Sequence, residues 1–333
     1  MLRLFSIDMV SGLNIWGPLT TGQYLSFDNI FEGNGHTINL DINAPAGIVN
    51  APYGMFSSIG QGGVVRDLRL TGRINVGTAL VGSGDNSHHR GRIGAVAGEV
   101  RGNGQIFNVM SSVEITVTGG NLPTPDEISV GGIAGSVEGV GASIFRNVVT
   151  GAINVNSNGA NVGGIVGAVS RTNSGSNTIR DNWASGNITG KRIGGIVGSI
   201  FINHAQGNVL LANNVAIMSS LSNCSWGTTA AYRAGRIAAL STGSNINNLS
   251  SSNNYGNSAL TVTTGNSEIN GAQTVTIAQA NTQSWWQNAS WSTPNGFGTA
   301  NWGTTQATPW VWSGVSPPTG IPANRPVLWF VLP

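Results

Sequence analysis

The stretch Val162-Gly163-Gly164-Ile165-Val166-Gly167-Ala168-Val169 decides how this chain is read, because close copies of it return along the sequence. They are Ile93-Gly94-Ala95-Val96-Ala97-Gly98-Glu99-Val100, Val130-Gly131-Gly132-Ile133-Ala134-Gly135-Ser136-Val137 and Ile193-Gly194-Gly195-Ile196-Val197-Gly198-Ser199-Ile200. Two degenerate copies flank them, Tyr53-Gly54-Met55-Phe56-Ser57-Ser58-Ile59 and Ala234-Gly235-Arg236-Ile237-Ala238-Ala239-Leu240. The first glycines fall at 54, 94, 131, 163, 194 and 235, giving steps of 40, 37, 32, 31 and 41 residues. A period of that size is the signature of stacked repeats.

A second motif keeps step with the first. An apolar residue, one variable residue, Asn or Asp and another apolar residue follow each glycine unit, as in Val65-Arg66-Asp67-Leu68, Ile106-Phe107-Asn108-Val109 and Ile144-Phe145-Arg146-Asn147-Val148. Arg180-Asp181-Asn182-Trp183 continues the series, and weaker copies centre on Asn214 and Asn254. Short β-branched runs such as Thr71-Gly72-Arg73-Ile74-Asn75-Val76 then follow a small-residue turn. Each repeat therefore reads as two or three short strands separated by Gly, Asn and Ser turns. Apolar residues alternate with small or polar ones, so one face of each strand is hydrophobic. One turn cannot bury that face alone, whereas stacked turns can, each strand pairing in parallel with its equivalents above and below.

The sequence thus predicts an all-β solenoid whose strands pair in parallel from turn to turn. Paired glycines would supply positive φ or a close approach between turns. Asp67, Asn108, Asn147, Asn182, Asn214 and Asn254 are expected in one axial row, joined as an amide ladder.

These residues carry a family resemblance. The Gly-Gly-Ile-Val-Gly units, the apolar-x-Asn-apolar segments and their Thr-Gly or Ser-Gly turns resemble GLUG repeats, found in large bacterial surface and secreted proteins with a pectin-lyase-like right-handed parallel β-helix. Phe31-Glu32-Gly33-Asn34-Gly35-His36-Thr37-Ile38 is similar to the opening coil of such proteins, and the resemblance covers roughly residues 28 to 330. It implies an extracellular or cell-surface location and speaks poorly to function, because fold does not decide activity.

Three regions are expected: an N-terminal strand or cap over 1–27, where Phe5, Ile7 and Met9 alternate with Ser6 and Asp8; the repeats over 28–254; and a Trp-rich C-terminal cap over 255–333. The last region holds seven of the ten Trp (Trp285, Trp286, Trp291, Trp302, Trp310, Trp312 and Trp329), yet Glu268 and Arg325 are its only charges. Their irregular spacing favours a cap over the end of the stack above a row of sugar-stacking platforms. The tail Val327-Leu328-Trp329-Phe330-Val331-Leu332 must be buried, either in the chain's own core or by adding to a neighbouring subunit's edge.

Composition narrows the function. Only 8% of the 333 residues are charged, and the net charge of +2 comes from scattered arginines and Lys191, which disfavours nucleic acid as a partner. No apolar run is long enough to span a membrane. The stretch Met1 to Val10 is too short for a secretory signal and carries Asp8, so an extracellular chain would have lost its signal or be part of a longer protein. Cys224 is the single cysteine and can form no internal disulfide. Asn187, Asn223, Asn248 and Asn288 open glycosylation sequons that chance would supply in so Asn- and Ser-rich a chain. His88-His89-Arg90 near Asp85 reads as an exposed polar loop, because neighbours on a strand point to opposite faces.

Lyases and hydrolases on parallel β-helices need carboxylates on neighbouring coils of one face. Asp67 lies in the expected Asn row and Asp181 precedes it by one position; Glu99 and Glu138 follow glycine units, but Ala168 and Ser199 stand near the equivalent places, so no carboxylate pair is expected to recur on adjacent coils. His36 and His204 have no partnered nucleophile in the sequence. No catalytic, cofactor-binding or metal residue is therefore assigned, and no cofactor is expected. The expected role is structural or adhesive: a wall rich in Asn, Thr and Ser presented to glycans, surface receptors, matrix or other cells. The alternative is a homo-oligomeric extracellular filament built by terminal strand addition, with polysaccharide cleavage the least favoured reading.

Overall fold

The computed structural model describes residues 8–9, 26–44, 51–77, 91–118, 128–157, 160–171, 175–202, 207–223, 233–240, 248–260, 269, 272–288, 291 and 296–332. Most of the expected N-terminal strand, the His88-His89-Arg90 loop, His204 and Cys224 lie outside them.

The alternating pattern produces the strands, and the period pairs them. Val64–Gly77, Gln105–Ser111 with Glu114–Thr118, Ser143–Phe145 with Val148–Val149 and Ile153–Asn156, and their later equivalents all join one broad sheet. Ile74 lies beside Ile115, Ile115 beside Ile153 and Ile153 beside Ile188, so identical β-branched side chains stack along the axis. The two halves of the glycine unit build two further sheets. A six-stranded one runs from Ala51–Tyr53 through Gly91–Gly94 to Arg233–Gly235, and a seven-stranded one from Ser26–Phe27 through Ala97–Arg101 to Ala238–Leu240. Every pairing in these three sheets is parallel, whereas Trp310–Trp312 and Pro326–Leu328 pair antiparallel. The chain is all-β with long parallel sheets, consistent with a β-helix-like solenoid. Among the described residues the broad-sheet strands make seven layers, beginning at Ile30, Val64, Gln105, Ser143, Gly175, Gly207 and Leu249, and Ala272–Val275 adds one further parallel strand beyond the seventh, against Asn254–Asn257. Near the first layer's edge, Asp8–Met9 pairs parallel with Asn39–Leu40.

One apolar column fills the interior: Val65, Ile106, Ile144, Ile179 and Leu211 on one strand row face Ile93, Val130, Val162 and Ile193 from the six-stranded sheet, all at 0–1% exposure. The glycines of the repeat make this thickness workable by close approach. None of those in the glycine units has positive φ. A Cβ on Gly167 would run into the backbone nitrogen of Val130 in the preceding layer, and one on Gly135 into that of Ile93. Here glycine serves the second of its two expected uses.

The expected Asn row is really two rows, one residue apart. Asp67, Asn108, Arg146, Asp181, Asn213 and Asn253 share φ between 52° and 59° and form a left-handed corner. Asn and Asp tolerate that conformation better than other side chains, so Arg146 is the exception. The following residue points inward: Leu68 and Val109 in two layers, then Asn147, Asn182, Asn214 and Asn254 in the next four. Asp67 and Asn108 therefore leave the expected ladder, and Asp181 joins them in the corner row. The last four asparagines form the inward ladder, while the corner row has bonds of its own: Asn108 Nδ2 donates to Asp67 Oδ1 and Asn213 Nδ2 to Asp181 Oδ1, both at 2.9 Å. Nδ2 of Asn147, Asn182 and Asn214 donates to Oδ1 of the next member at 3.0, 3.0 and 2.9 Å, and each Oδ1 also accepts the backbone N–H of the Asn before it.

The Trp-rich region does not sit over the last layer alone. Leu260 and Ile269 close that end as part of the main core, while residues 276–332 run back along the flank of the broad sheet. There they cover an outward apolar row, Met110, Val148, Trp183, Val215 and Tyr255, and form a second core with Trp286, Trp291, Phe297, Trp310, Val327 and Leu328. Most of its indole N–H groups find carbonyl partners, Trp183 Nε1 donating to Pro326 O at 2.9 Å and Trp286 Nε1 to Ala280 O at 2.7 Å, whereas Trp310 Nε1 is buried without one.

Candidate functional site

Three side-chain assemblies stand out on the layers. The first is an outward row on the broad sheet. Asn43, Asn75, Thr116, Asn154, Thr189 and Ser222 are direct neighbours in register across six consecutive layers. They alternate with buried Ile74, Val76, Ile115, Val117, Ile153 and Val155, which fixes their outward direction. All are exposed or half-exposed. At about 4.8 Å per layer the row extends roughly 24 Å. Each member offers both a donor and an acceptor, and none is charged. Asp41 and Arg73, paired at 2.8 Å, lie beside its first end.

The second assembly occupies the position that the sequence pattern left variable. Glu32, Arg66, Phe107, Phe145 and Arg180 are register neighbours. The two Phe rings stack at 4.6 Å with 12° between their planes. The Arg66 guanidinium lies over Phe107 at 5.7 Å and that of Arg180 over Phe145 at 4.6 Å. Both outer faces of the stack are thus covered by cations, which are themselves held by Glu32 at 2.6 Å and by Asp181. The column is closed on itself and leaves no ring face for a sugar. Burial, the largest influence, pushes the Asp181 carboxyl up from its ordinary value despite Arg180, and pushes the Arg146 guanidinium down. Burial likewise raises Glu32, and its hydrogen bond and proximity to Asp67 add to that. Sequence reasoning passed over this column; the recurrence of Phe at 107 and 145 beside Arg at 66 and 180 was the available signal.

The third is an ionic quartet. Arg92 Nη1 donates to Glu99 at 2.7 Å and Nη2 to Glu138 at 2.6 Å, while Arg101 pairs with the other Glu99 oxygen. Register pairs Glu138 with Arg101, so Glu99 and Glu138 stand on adjacent layers two residues out of step and their side chains meet. This corrects the expectation that no carboxylates come together on neighbouring layers: a periodic alignment compares equal positions and misses long side chains that reach diagonally. Glu99 is fully buried, and desolvation outweighs Arg92 to push its carboxyl up to about 7. A carboxylate clamped between two guanidiniums with no accessible surface is built to hold strands together.

His36 lies in the first layer immediately before the strand Thr37–Ala44, away from the quartet in sequence and in sheet. Among the described residues no group of three or more His, Cys, Asp or Glu is placed to hold a metal ion, and no helix is long and apolar enough to cross a membrane. Comparison of the chain with protein-family models, with curated proteins and with solved structures found no match.

Proposed function

We propose that this protein is a non-enzymatic structural or adhesive protein of the cell surface or extracellular space, a right-handed parallel β-helix of the GLUG-repeat kind, whose outward row binds uncharged glycans of a matrix or another cell. The observation that carries the reading is the unbroken row Asn43, Asn75, Thr116, Asn154, Thr189 and Ser222. A straight line of paired donors and acceptors matches the hydroxyls of an extended neutral saccharide, and the lack of charge removes the desolvation cost that an ionic surface would impose. The non-enzymatic part of the reading is supported by the way Arg92 and Arg101 enclose Glu99. The filament alternative is less well supported, because Pro326–Leu328 already pairs with Trp310–Trp312 and Val327 and Leu328 are fully buried, so donating this strand would open the chain's own second core.

A glycan array tests the proposal. The chain should retain neutral polysaccharides over sulfated or uronic ones, and the triple substitution Thr116→Ala, Asn154→Ala, Thr189→Ala should weaken retention at least tenfold with the unfolding midpoint held. Retention of no glycan by the unaltered chain, or equal retention by the triple variant, would sink it.

A further inference from the structure

In a stack of repeats each layer touches only its neighbours, so stability is local and the ends fray first. Residues 276–332 break that rule here. Phe330 packs on Gly35 of the first layer, where a Cβ would lie 2.8 Å from the Phe330 Cβ. Gln306 reaches the second and third layers: its Oε1 accepts from Arg66 at 3.3 Å, its Nε2 donates to Asp67, and its backbone oxygen accepts from Asn108 at 3.4 Å. Met110 and Val148 join the flank core from the third and fourth layers. Pro326 O accepts from Trp183 of the fifth, Gly296 packs beside Asn213 of the sixth, and Trp285 and Trp291 stand edge-on to Tyr255 of the seventh at 5.2 and 5.3 Å. One segment therefore contacts all seven layers.

The segment is also internally braced. Trp286 packs on Trp183, Trp285, Trp291 and Phe297 together, and Arg325 Nη1 donates to Ala280 O at 3.0 Å, tying the short helices to the antiparallel pair. The Thr276 capping box fixes where the segment leaves the stack. We infer that residues 276–332 are a splint that couples the first layer to the last, so that the stack opens as one unit instead of fraying from its ends.

Native-state hydrogen exchange on the full chain tests this. Backbone amides in residues 37–42 and 254–257 should exchange with protection equal within about threefold. Trp286→Ala, whose ring partner on the layers is Trp183 of the fifth, should lower protection in residues 37–42 by the same factor as in 254–257, roughly a hundredfold to several thousandfold for loss of a buried Trp. The double substitution Gln306→Ala, Phe330→Ala releases only the far end of the splint. In it, residues 37–42 should lose protection while 254–257 keep theirs, and the single transition should split in two. Loss confined to residues 183–184, 215–217 and 254–257 in Trp286→Ala would overturn the inference, as would uniform protection and a single transition in the double variant.

Discussion

Replacing Asn182 with Ala should be among the most damaging small truncations in the interior, and the structure says by how much. Asn182 is fully buried. Its Oδ1 accepts from the backbone N–H and the Nδ2 of Asn147, both at 3.0 Å, and its Nδ2 donates to Ile144 O at 3.1 Å and Asn214 Oδ1 at 3.0 Å. Truncation strands two donors of Asn147 in the core, each costing about 1–3 kcal/mol, so roughly 4 kcal/mol should be lost. Asn147→Ala strands only one, the Val109 N–H that its Oδ1 accepts at 3.0 Å, and should cost about half as much. Asn182→Asp keeps the shape but turns the donor edge into an acceptor facing Ile144 O and Asn214 Oδ1, and should cost at least as much as Ala. Urea unfolding of the three variants with an unchanged m-value would measure this. Equal losses for Asn147→Ala and Asn182→Ala, or a neutral Asn182→Asp, would show that the ladder does not carry stability as reasoned.

Gly167→Ala should cost more than about 3 kcal/mol, because the added methyl meets the Val130 backbone, which cannot rotate away; Gly164→Ala should cost as much, because its methyl would lie 2.1 Å from the Gly195 backbone oxygen, and thermal melts of the two variants would check both. The Glu99 carboxyl is raised above its unfolded value, so its contribution is fully present below about pH 4.5 and is lost as pH rises through about 7. Glu99→Gln should therefore flatten the fall in stability between those values by about one proton's worth of slope, read from unfolding midpoints across pH; an unchanged slope would place the titration elsewhere.

How much of this was legible in the sequence follows from what repetition encodes. The glycine units and the apolar-x-Asn-apolar segments were read correctly as strands with parallel, in-register neighbours, because a residue and its copy some 31 to 41 positions later must meet if the layers stack. The ladder was read only in part. Asp67 and Asn108 looked like members of the same row as Asn147, but the left-handed corner lies at Arg146, so the alignment slips by one residue and a one-residue slip changes which face a side chain takes. Of the candidate sites, the outward Asn/Thr/Ser face was anticipated as a composition; its continuity across six layers was visible only in the register. The Arg66–Phe107–Phe145–Arg180 column was hidden in the position treated as variable.

The sequence by itself determined the repeating unit, its period and the side of each strand that must be apolar, since these depend on neighbours along the axis that carry the same motif. Only the tertiary structure decided where residues 276–332 lie and which carboxylates meet. The flank row Met110, Val148, Trp183, Val215 and Tyr255 has no pattern of its own that separates it from the interior, and its burial comes from a distant, non-repeating segment. Lateral packing of that kind has no period, so no comparison of one repeat with the next can reveal it.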